Sequence, residues 1–251
     1  HRRRRGREAK RLARDRKIYA KMRHFVLEAE RLHVQAAEPI EPLTVFYGKE
    51  ALPQGLKTSP FPMVTQANGR PMPQWKDLSQ WMKVTMATIV SHEWDLLTFN
   101  INLHPDLEAD LVSAGMVRAA LSERVRKQLS RTIGAGREYF FVVEGHSMAT
   151  GQQTHLHIHG AIAVRDGDSV MDIRAALAKA AGHGLHGRSR MRRAVHTKWF
   201  NLFRVAYPDY LFKFRTRRDP RLDERRLVMS RSMTQAASMF WSDVAHERSW
   251  V

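Results

Sequence analysis

The spacing of hydrophobic and polar residues predicts strands and helices that follow one another from residue 77 to residue 241. The segments with the spacing of β-strands are 95–103, 137–144, 154–164 and 194–200. Helical spacing indicates helices over 77–92, 106–133 and 169–181, a short one near Pro208, and a last one with Met233 and Trp241; Asp77 is the expected N-cap of the first. The turn-rich segment 145–153 predicts an antiparallel hairpin between the second and third strands.

The third predicted strand carries a histidine at every second position from residue 155 to residue 159. Successive side chains of a strand point to opposite faces, so His155, His157 and His159 share one face. The hydrophobic residues between them point the other way, toward the core. Imidazole is the commonest side-chain ligand of metal ions in proteins, and the row therefore favours a metal site over a solvent-exposed strand face.

The two ends of the chain differ in character from this central part. Residues 1–35 open with four consecutive arginines after His1 and continue as a basic, helix-prone segment. Two interpretations stay open for it, a solvated helix with a mobile basic tail or an arm that contacts phosphates. Residues 36–75 contain seven prolines, and we expect a linker with one short strand, Leu43–Tyr47. The predicted division is a basic N-terminal helical arm and Pro-rich linker over 1–75, a central domain over 76–215, and a C-terminal helical extension over 216–251 that packs on the core.

Charge and composition restrict the class of partner. The 251 residues include 42 Lys and Arg against 25 Asp and Glu, a formal net charge of +17. Such an excess favours a polyanion, nucleic acid first and an anionic membrane surface second. The absence of Cys excludes disulfides and Cys-bearing zinc sites, and no run of about 20 hydrophobic residues is present to span a membrane. Because the first residue is His1, we expect a fragment or a processed chain.

Glu144 ends the hydrophobic strand that precedes the histidine strand. A carboxylate there is costly unless it meets water, a cation or hydrogen-bond donors. Two interpretations follow: ordinary exposure at a strand end, or a metal ligand beside the histidines. A mixed set of His and carboxylate ligands suits Mg²⁺ or Mn²⁺ as well as Zn²⁺.

A second chemical feature is the segment 207–213, Tyr-Pro-Asp-Tyr-Leu-Phe-Lys. Pro208 suits the first turn of a helix, and Tyr210 and Lys213 are three residues apart, on one helical face. A phenol ionises near pH ~10, so Tyr210 needs help to act as a nucleophile. A nearby ammonium or a metal-bound phosphate could supply it.

In this order the segments resemble the HUH endonucleases, named for a His-hydrophobic-His motif, and most closely the rolling-circle replication initiator (Rep) proteins. Residues 96–100, Leu-Leu-Thr-Phe-Asn, look like the first motif of the family. Residues 157–162, His-Ile-His-Gly-Ala-Ile, look like the His-hydrophobic-His motif, and residues 210–213, Tyr-Leu-Phe-Lys, look like the catalytic Tyr-x-x-Lys. The resemblance covers about residues 90–215.

The resemblance implies an α+β fold with a central antiparallel sheet and flanking helices, in the RRM or ferredoxin-like layout. It implies a divalent metal, Mg²⁺ or Mn²⁺, on two histidines and a third ligand, often a carboxylate on the preceding strand, where Glu144 stands. His157 and His159 are the preferred pair because Gly-Ala-Ile follows them, and His155 with His157 is the other possible pair. Tyr210 would attack a DNA phosphodiester and form a 5′-phosphotyrosine.

In this interpretation Lys213 offsets developing charge or positions the phosphate. Tyr207 is a second tyrosine, as in some family members, and its place before Pro208 favours Tyr210 as the single nucleophile. The implied protein is a site-specific DNA nickase and strand transferase that initiates rolling-circle replication of a plasmid or phage. Its expected partners are single-stranded DNA or an origin hairpin and a host helicase, in the cytoplasm of a bacterial host and away from membranes.

Other functions fit parts of the same pattern. The same chemistry serves transposases and relaxases of the HUH type. A non-enzymatic RRM-like nucleic-acid-binding module would lack any metal dependence. A zinc hydrolase would use His155, His157 and His159 together, but the outer two would be roughly 13 Å apart at their Cα atoms, which strains a single site.

Overall fold

A five-stranded antiparallel sheet forms the centre of the fold in the computed structural model. Its strands are β1 (Asp95–Asn102), β2 (Tyr139–His146), β3 (Gln153–Val164), β4 (Val195–Trp199) and β5 (Leu227–Met229). They lie in the order β4-β1-β3-β2-β5. The predicted hairpin is confirmed, because β2 and β3 pair antiparallel. The predicted α+β class with a central antiparallel sheet and flanking helices is confirmed as well.

The structure describes residues 8–20, 72–91, 94–146, 152–184, 194–199, 206–213 and 219–246. The arginine run near the N-terminus and the predicted strand Leu43–Tyr47 lie outside these ranges. The helices are α1 (8–20), α2 (Gln80–Val90), α3 (Pro105–Ser113), α4 (Val117–Ile133), α5 (Val170–Ala180), α6 (Ala206–Leu211) and α7 (Arg231–His246). In this part of the chain no helix is both long and apolar enough to cross a membrane.

The single helix predicted over 106–133 is wrong, because the chain turns between α3 and α4. Gly115 adopts φ +64°, a left-handed conformation that glycine tolerates without strain. The N–H of Gly115 donates to the carbonyl of Val112, and the N–H of Met116 donates to that of Leu111. This pair of bonds is the Schellman ending of a helix. Hydrophobic spacing continues across the turn, so periodicity alone could not reveal it.

One face of the sheet packs on α3, α4 and α5 and forms the hydrophobic core. The strand residues in this core include Phe99, Ile101, Phe141, Ile158 and Ile162, and the helix residues include Leu111, Leu121, Val125, Leu129, Ile173 and Leu177. Side chains alternate along each strand. The histidines that separate these hydrophobic residues on β3 are therefore on the other face.

The described residues fall into two compact units, one from His1–Met86 with Ala237–Val251 and the other from Ala87–Ala236. All five strands belong to the second unit. In the first unit the buried Asp15 of α1 accepts the backbone N–H of Ser79 at 2.6 Å. The Ser79 hydroxyl in turn accepts the N–H of Met82 at 3.2 Å, so Ser79 caps α2 and the prediction of Asp77 as N-cap is wrong. The three-part division of the chain stays a prediction.

Candidate active site

The sheet places the central histidines beside a carboxylate. His159 of β3 lies opposite Asn100 of β1. His157 lies opposite Asn102 of β1 on one side and Glu144 of β2 on the other. Residues directly opposite one another on antiparallel strands share a face of the sheet. The two histidines and Glu144 therefore lie on one face, the face away from the hydrophobic core.

His157 is oriented by a hydrogen bond within its own strand. Its Nδ1 lies 3.1 Å from the carbonyl oxygen of His155. Because a carbonyl only accepts, Nδ1 carries the proton and Nε2 keeps its lone pair. Burial lowers the pKa of His157, although the carbonyl bond opposes part of that shift. At neutral pH the ring is uncharged, with Nε2 in the form that binds metal ions.

His159 is more deeply buried, at 4% exposure. Burial is the main cause that lowers the pKa of His159 to about 2, and the positive charge of Lys213 adds to it. The ring is perpendicular to that of His157, and the two ring centroids are 4.7 Å apart. Its Nε2 is buried and has no hydrogen-bond partner among the described residues. An unpaired buried polar atom needs an explanation, and a bound ligand is one.

The carboxylate of Glu144 is completely buried, so the interpretation of ordinary exposure at a strand end is wrong. Its Oε1 accepts a hydrogen bond from Nη1 of Arg226 at 3.2 Å. Its Oε2 has no hydrogen-bond partner in the described part of the chain. Burial raises the pKa of Glu144, and the positive charges of Arg226 and Lys213 oppose that rise. Its role as a metal ligand stays a prediction.

Tyr210 approaches the histidines from α6, 51 residues further along the chain than His159. Its phenol oxygen lies 3.4 Å from Nδ1 of His159, and the two ring centroids are 5.3 Å apart. The side chain is 36% exposed, so a ligand can reach it from solvent. Burial raises the pKa of Tyr210, and the negative charge of Glu144 raises it further. The phenol is therefore protonated at neutral pH and needs activation to become a nucleophile.

Lys213 lies over the aromatic face of Tyr210. Its Nζ is 3.9 Å from the centroid of the phenol ring, which is cation–π geometry. Burial lowers the pKa of Lys213, and the negative charge of Glu144 opposes that shift. An ammonium in this position stabilises negative charge that develops on the phenol during a reaction.

The structure separates His155 from the other two histidines. Its side chain is 69% exposed, and its Nδ1 lies 3.0 Å from Oε2 of Glu108 on α3. The same carboxylate accepts the backbone N–H of Leu156 at 3.0 Å and Nη1 of Arg221 at 2.7 Å. Glu108 thus holds His155 away from the pair. Of the two possible pairs, the geometry favours His157 with His159.

Tyr207 and Tyr210 have different surroundings although they lie on the same short helix. The hydroxyl of Tyr207 donates to the backbone carbonyl of Gly160 at 2.9 Å. Burial raises the pKa of Tyr207 well above its ordinary value. The oxygen of Tyr210 meets an imidazole, whereas that of Tyr207 meets the backbone of the histidine strand.

Among the residues that the structure describes, no three His, Asp or Glu side chains are grouped so that they could hold a metal ion. Arg226 occupies one oxygen of Glu144, the carboxylate expected to complete the set. The donor atoms nevertheless suit a divalent ion in kind. They are the lone pair on Nε2 of His157 and two buried atoms with no hydrogen-bond partner in the described part of the chain, Nε2 of His159 and Oε2 of Glu144.

Arg226 is the site residue that sequence reasoning missed. It lies in the charged stretch 216–228, which has no helical or strand periodicity as a whole. In the structure, β5 begins at the next residue and pairs with β2, and the carbonyl of Arg226 accepts the N–H of Val143 at 3.1 Å. Residues 227–229, Leu-Val-Met, are consecutive hydrophobic residues that indicate a short strand. Pairing of that strand with β2 would have predicted Arg226 near Glu144.

Comparison of the chain with protein-family models, with curated proteins and with solved structures found no match.

Proposed function

We propose that this chain is a metal-dependent single-stranded DNA endonuclease and ligase of the HUH type, which initiates rolling-circle replication. One observation carries the proposal. The phenol oxygen of Tyr210 lies 3.4 Å from the imidazole of His159, although 51 residues separate them in the sequence. Three side-chain types that phosphodiester transfer needs, a hydroxyl nucleophile, neutral imidazoles and an ammonium, thereby come together on one face of the sheet.

The order of the elements supports the same proposal. From β1 to β4 the sheet is built as strand, helices, strand, strand, helix, strand, with β4 and β2 flanking β1 and β3. This succession supports the proposed ferredoxin-like and RRM layout, in which the elements follow the same order. The strand β5 extends it at the β2 edge. The histidine pair lies on the central strand of the five and faces away from the helical layer.

The proposed reaction is a transesterification at phosphorus. The oxygen of Tyr210 forms a bond to the phosphorus while the bond from phosphorus to the 3′ oxygen breaks. The proton lost by the phenol is balanced by the proton gained by the 3′ oxygen, so the products are a 5′-phosphotyrosine and a free 3′-hydroxyl. The bond energy is kept in the adduct, and attack by the 3′-hydroxyl reseals the strand.

Lys213 and the histidines would stabilise negative charge at different groups, the phenolate and the phosphate. The ammonium over the ring of Tyr210 stabilises the phenolate as it develops. His157 and His159 are the residues that would hold a divalent ion, with Glu144 as the third ligand. Bound Mg²⁺ or Mn²⁺ would polarise the phosphate and offset its charge.

The surface next to the pair suits a single strand of DNA. His196 and Lys198 of β4 are exposed and lie opposite Asn100 and Thr98 of β1. They extend the face of the histidines toward the edge of the sheet. With a net charge of +17, the chain favours phosphate along this face. Single-stranded DNA or an origin hairpin is the proposed substrate, in the cytoplasm of a bacterial host.

Covalent trapping tests the proposal. The protein is incubated with Mn²⁺ and single-stranded oligonucleotides of randomised sequence, and complexes that survive denaturation are recovered and sequenced. We expect adducts that require the metal and disappear in Tyr210→Phe. Tyr139→Phe is the matched control, because Tyr139 is buried on the opposite face of the sheet and loses the same hydroxyl. If no adduct forms, or if Tyr210→Phe still forms it, the proposal is wrong.

One observation favours a second candidate, a non-enzymatic RRM-like nucleic-acid-binding module. Glu144 is paired with Arg226, and no three-ligand group is present in the described residues. For such a module, binding of single-stranded DNA would be unchanged by chelators and by His157→Ala, and no covalent adduct would form. The trapping experiment and a binding titration with and without Mn²⁺ separate the two candidates.

A further inference from the structure

Tyr207 lies three residues before the proposed nucleophile and offers a second phenol to the same site. We infer that Tyr207 is a positioning residue that holds Tyr210 against His159, and that it does not itself attack DNA. The inference deepens the proposed function and rests on it, since it concerns how the nucleophile is placed. It is carried by three sets of contacts around Tyr207 and its acceptor Gly160, all independent of any bound ligand.

The first contact ties α6 to the histidine strand. The hydroxyl of Tyr207 donates to the carbonyl oxygen of Gly160 at 2.9 Å. Gly160 follows His159 directly, so this bond fixes the distance between the tyrosine helix and the ring that meets Tyr210. A hydroxyl has a single proton, and here the backbone carbonyl accepts it.

The second contact explains why the strand has glycine at this point. A Cβ atom on Gly160 would overlap the carbonyl oxygen of Phe140, and it would lie 2.6 Å from Cβ of Phe141 and 2.7 Å from Cζ of Phe99. These distances are too short for any side chain. The absence of a side chain at Gly160 therefore allows β2 and the rings of Phe99 and Phe141 to pack tightly against β3. This is the same residue whose carbonyl accepts the hydrogen bond from Tyr207.

The third contact is between the two phenol rings. The rings of Tyr207 and Tyr210 are nearly parallel, at 17°, with centroids 6.2 Å apart. Tyr207 also makes an edge contact with Phe140 of β2, at a centroid distance of 6.4 Å. Tyr207 therefore contacts both the sheet and Tyr210, and it limits how far the ring of Tyr210 can move from His159. Small displacements of a reacting group are costly, since about 1 Å can slow a reaction by ~10²-fold.

The test compares Tyr207→Phe with wild type, Tyr210→Phe and the control Tyr139→Phe. Tyr207→Phe keeps the ring and removes the hydroxyl that donates to Gly160. An oligonucleotide recovered by covalent trapping is used for single-turnover adduct formation and for a separate binding titration without metal. We expect Tyr207→Phe to slow adduct formation at saturating DNA by about tenfold or more, because the nucleophile is displaced, with unchanged DNA affinity. The melting temperature should fall by only roughly 2–4 °C, the cost of one lost hydrogen bond. Tyr139→Phe should react like wild type.

A second readout does not depend on catalysis. Tyrosine is labelled with ¹³C in the ring, and the resonance of Tyr210 is assigned by its loss in Tyr210→Phe. Tyr207→Phe should shift that resonance, whereas Tyr139→Phe should leave it in place. If wild type forms no adduct, the proposed function fails, and this readout still decides whether Tyr207 positions Tyr210. An adduct on Tyr207, an unaltered rate in Tyr207→Phe, or an unmoved Tyr210 resonance would overturn the inference.

Discussion

Removal of the guanidinium of Arg226 should destabilise the fold in a pH-dependent way. Nη1 of Arg226 lies 3.2 Å from Oε1 of Glu144, and the carboxylate is completely buried. At an effective dielectric constant of about 20, two unit charges at that separation interact by roughly 5 kcal/mol. Loss of one partner from a buried ion pair typically costs about 3–5 kcal/mol. We expect Arg226→Gln to lower the free energy of unfolding by about this amount at pH ~8.

The pH dependence follows from the carboxyl group. Burial raises the pKa of Glu144 in the folded state above its unfolded value of about 4.3. The folded state therefore holds the proton more tightly, and stability falls as pH rises from the unfolded pKa through the folded one. Without Arg226 the folded pKa rises further and the loss becomes steeper. The defect of Arg226→Gln should be small near pH ~3, well below the unfolded pKa, where Glu144 is protonated in both states.

Urea unfolding at several pH values measures this effect. Arg225→Gln is the matched control, because Arg225 is the neighbouring residue and is exposed. The double variant Glu144→Gln with Arg226→Gln should recover most of the stability, since it buries no uncompensated charge. A defect in Arg226→Gln no larger than in Arg225→Gln, or one that does not change with pH, would refute the reasoning.

Three further predictions test neighbouring parts of the site. Gly160→Ala should lower the free energy of unfolding by about 3 kcal/mol or more, measured by urea unfolding, because the new Cβ overlaps the Phe140 carbonyl. The pKa of His159 is about 2 in the folded state, below its unfolded value, so the unfolded chain binds the proton at a higher pH. The free energy of unfolding should therefore fall by up to about 1.4 kcal/mol per pH unit as the pH drops below ~6.5. His159→Gln should reduce that slope. His157→Ala should weaken Mn²⁺ binding, followed by electron paramagnetic resonance, whereas His155→Ala should not, because His155 pairs with Glu108.

Local patterns predicted those features that depend on neighbours in sequence. Alternation placed His157 and His159 on the face away from the core, and hydrophobic runs gave the hairpin of β2 and β3. The proximity of Tyr210 and Lys213 followed from a spacing of three residues, although Lys213 lies in the turn after α6 and not on the helix. Side-chain direction in a strand or helix is fixed by the backbone, so such predictions need no knowledge of the fold.

Features that depend on distant residues could not be predicted in the same way. His155 has the same alternation as its neighbours, but Glu108, 47 residues away, draws it from the pair. Arg226, 82 residues from Glu144, takes up one oxygen of the carboxylate that the resemblance assigns to a metal. The sequence pattern of a strand does not predict which residue, distant in sequence, will pair with its polar side chains.

Peptide mapping of the trapped complex identifies which residue attacks the DNA. The adduct formed with Mn²⁺ and single-stranded DNA is digested with nuclease and trypsin, and the tryptic peptide Val205–Lys213, which contains Tyr207 and Tyr210, is fragmented in the mass spectrometer. We expect a nucleotide phosphate on the oxygen of Tyr210 in this peptide. An unmodified peptide from an otherwise active preparation, or a phosphate at any other residue, would contradict it.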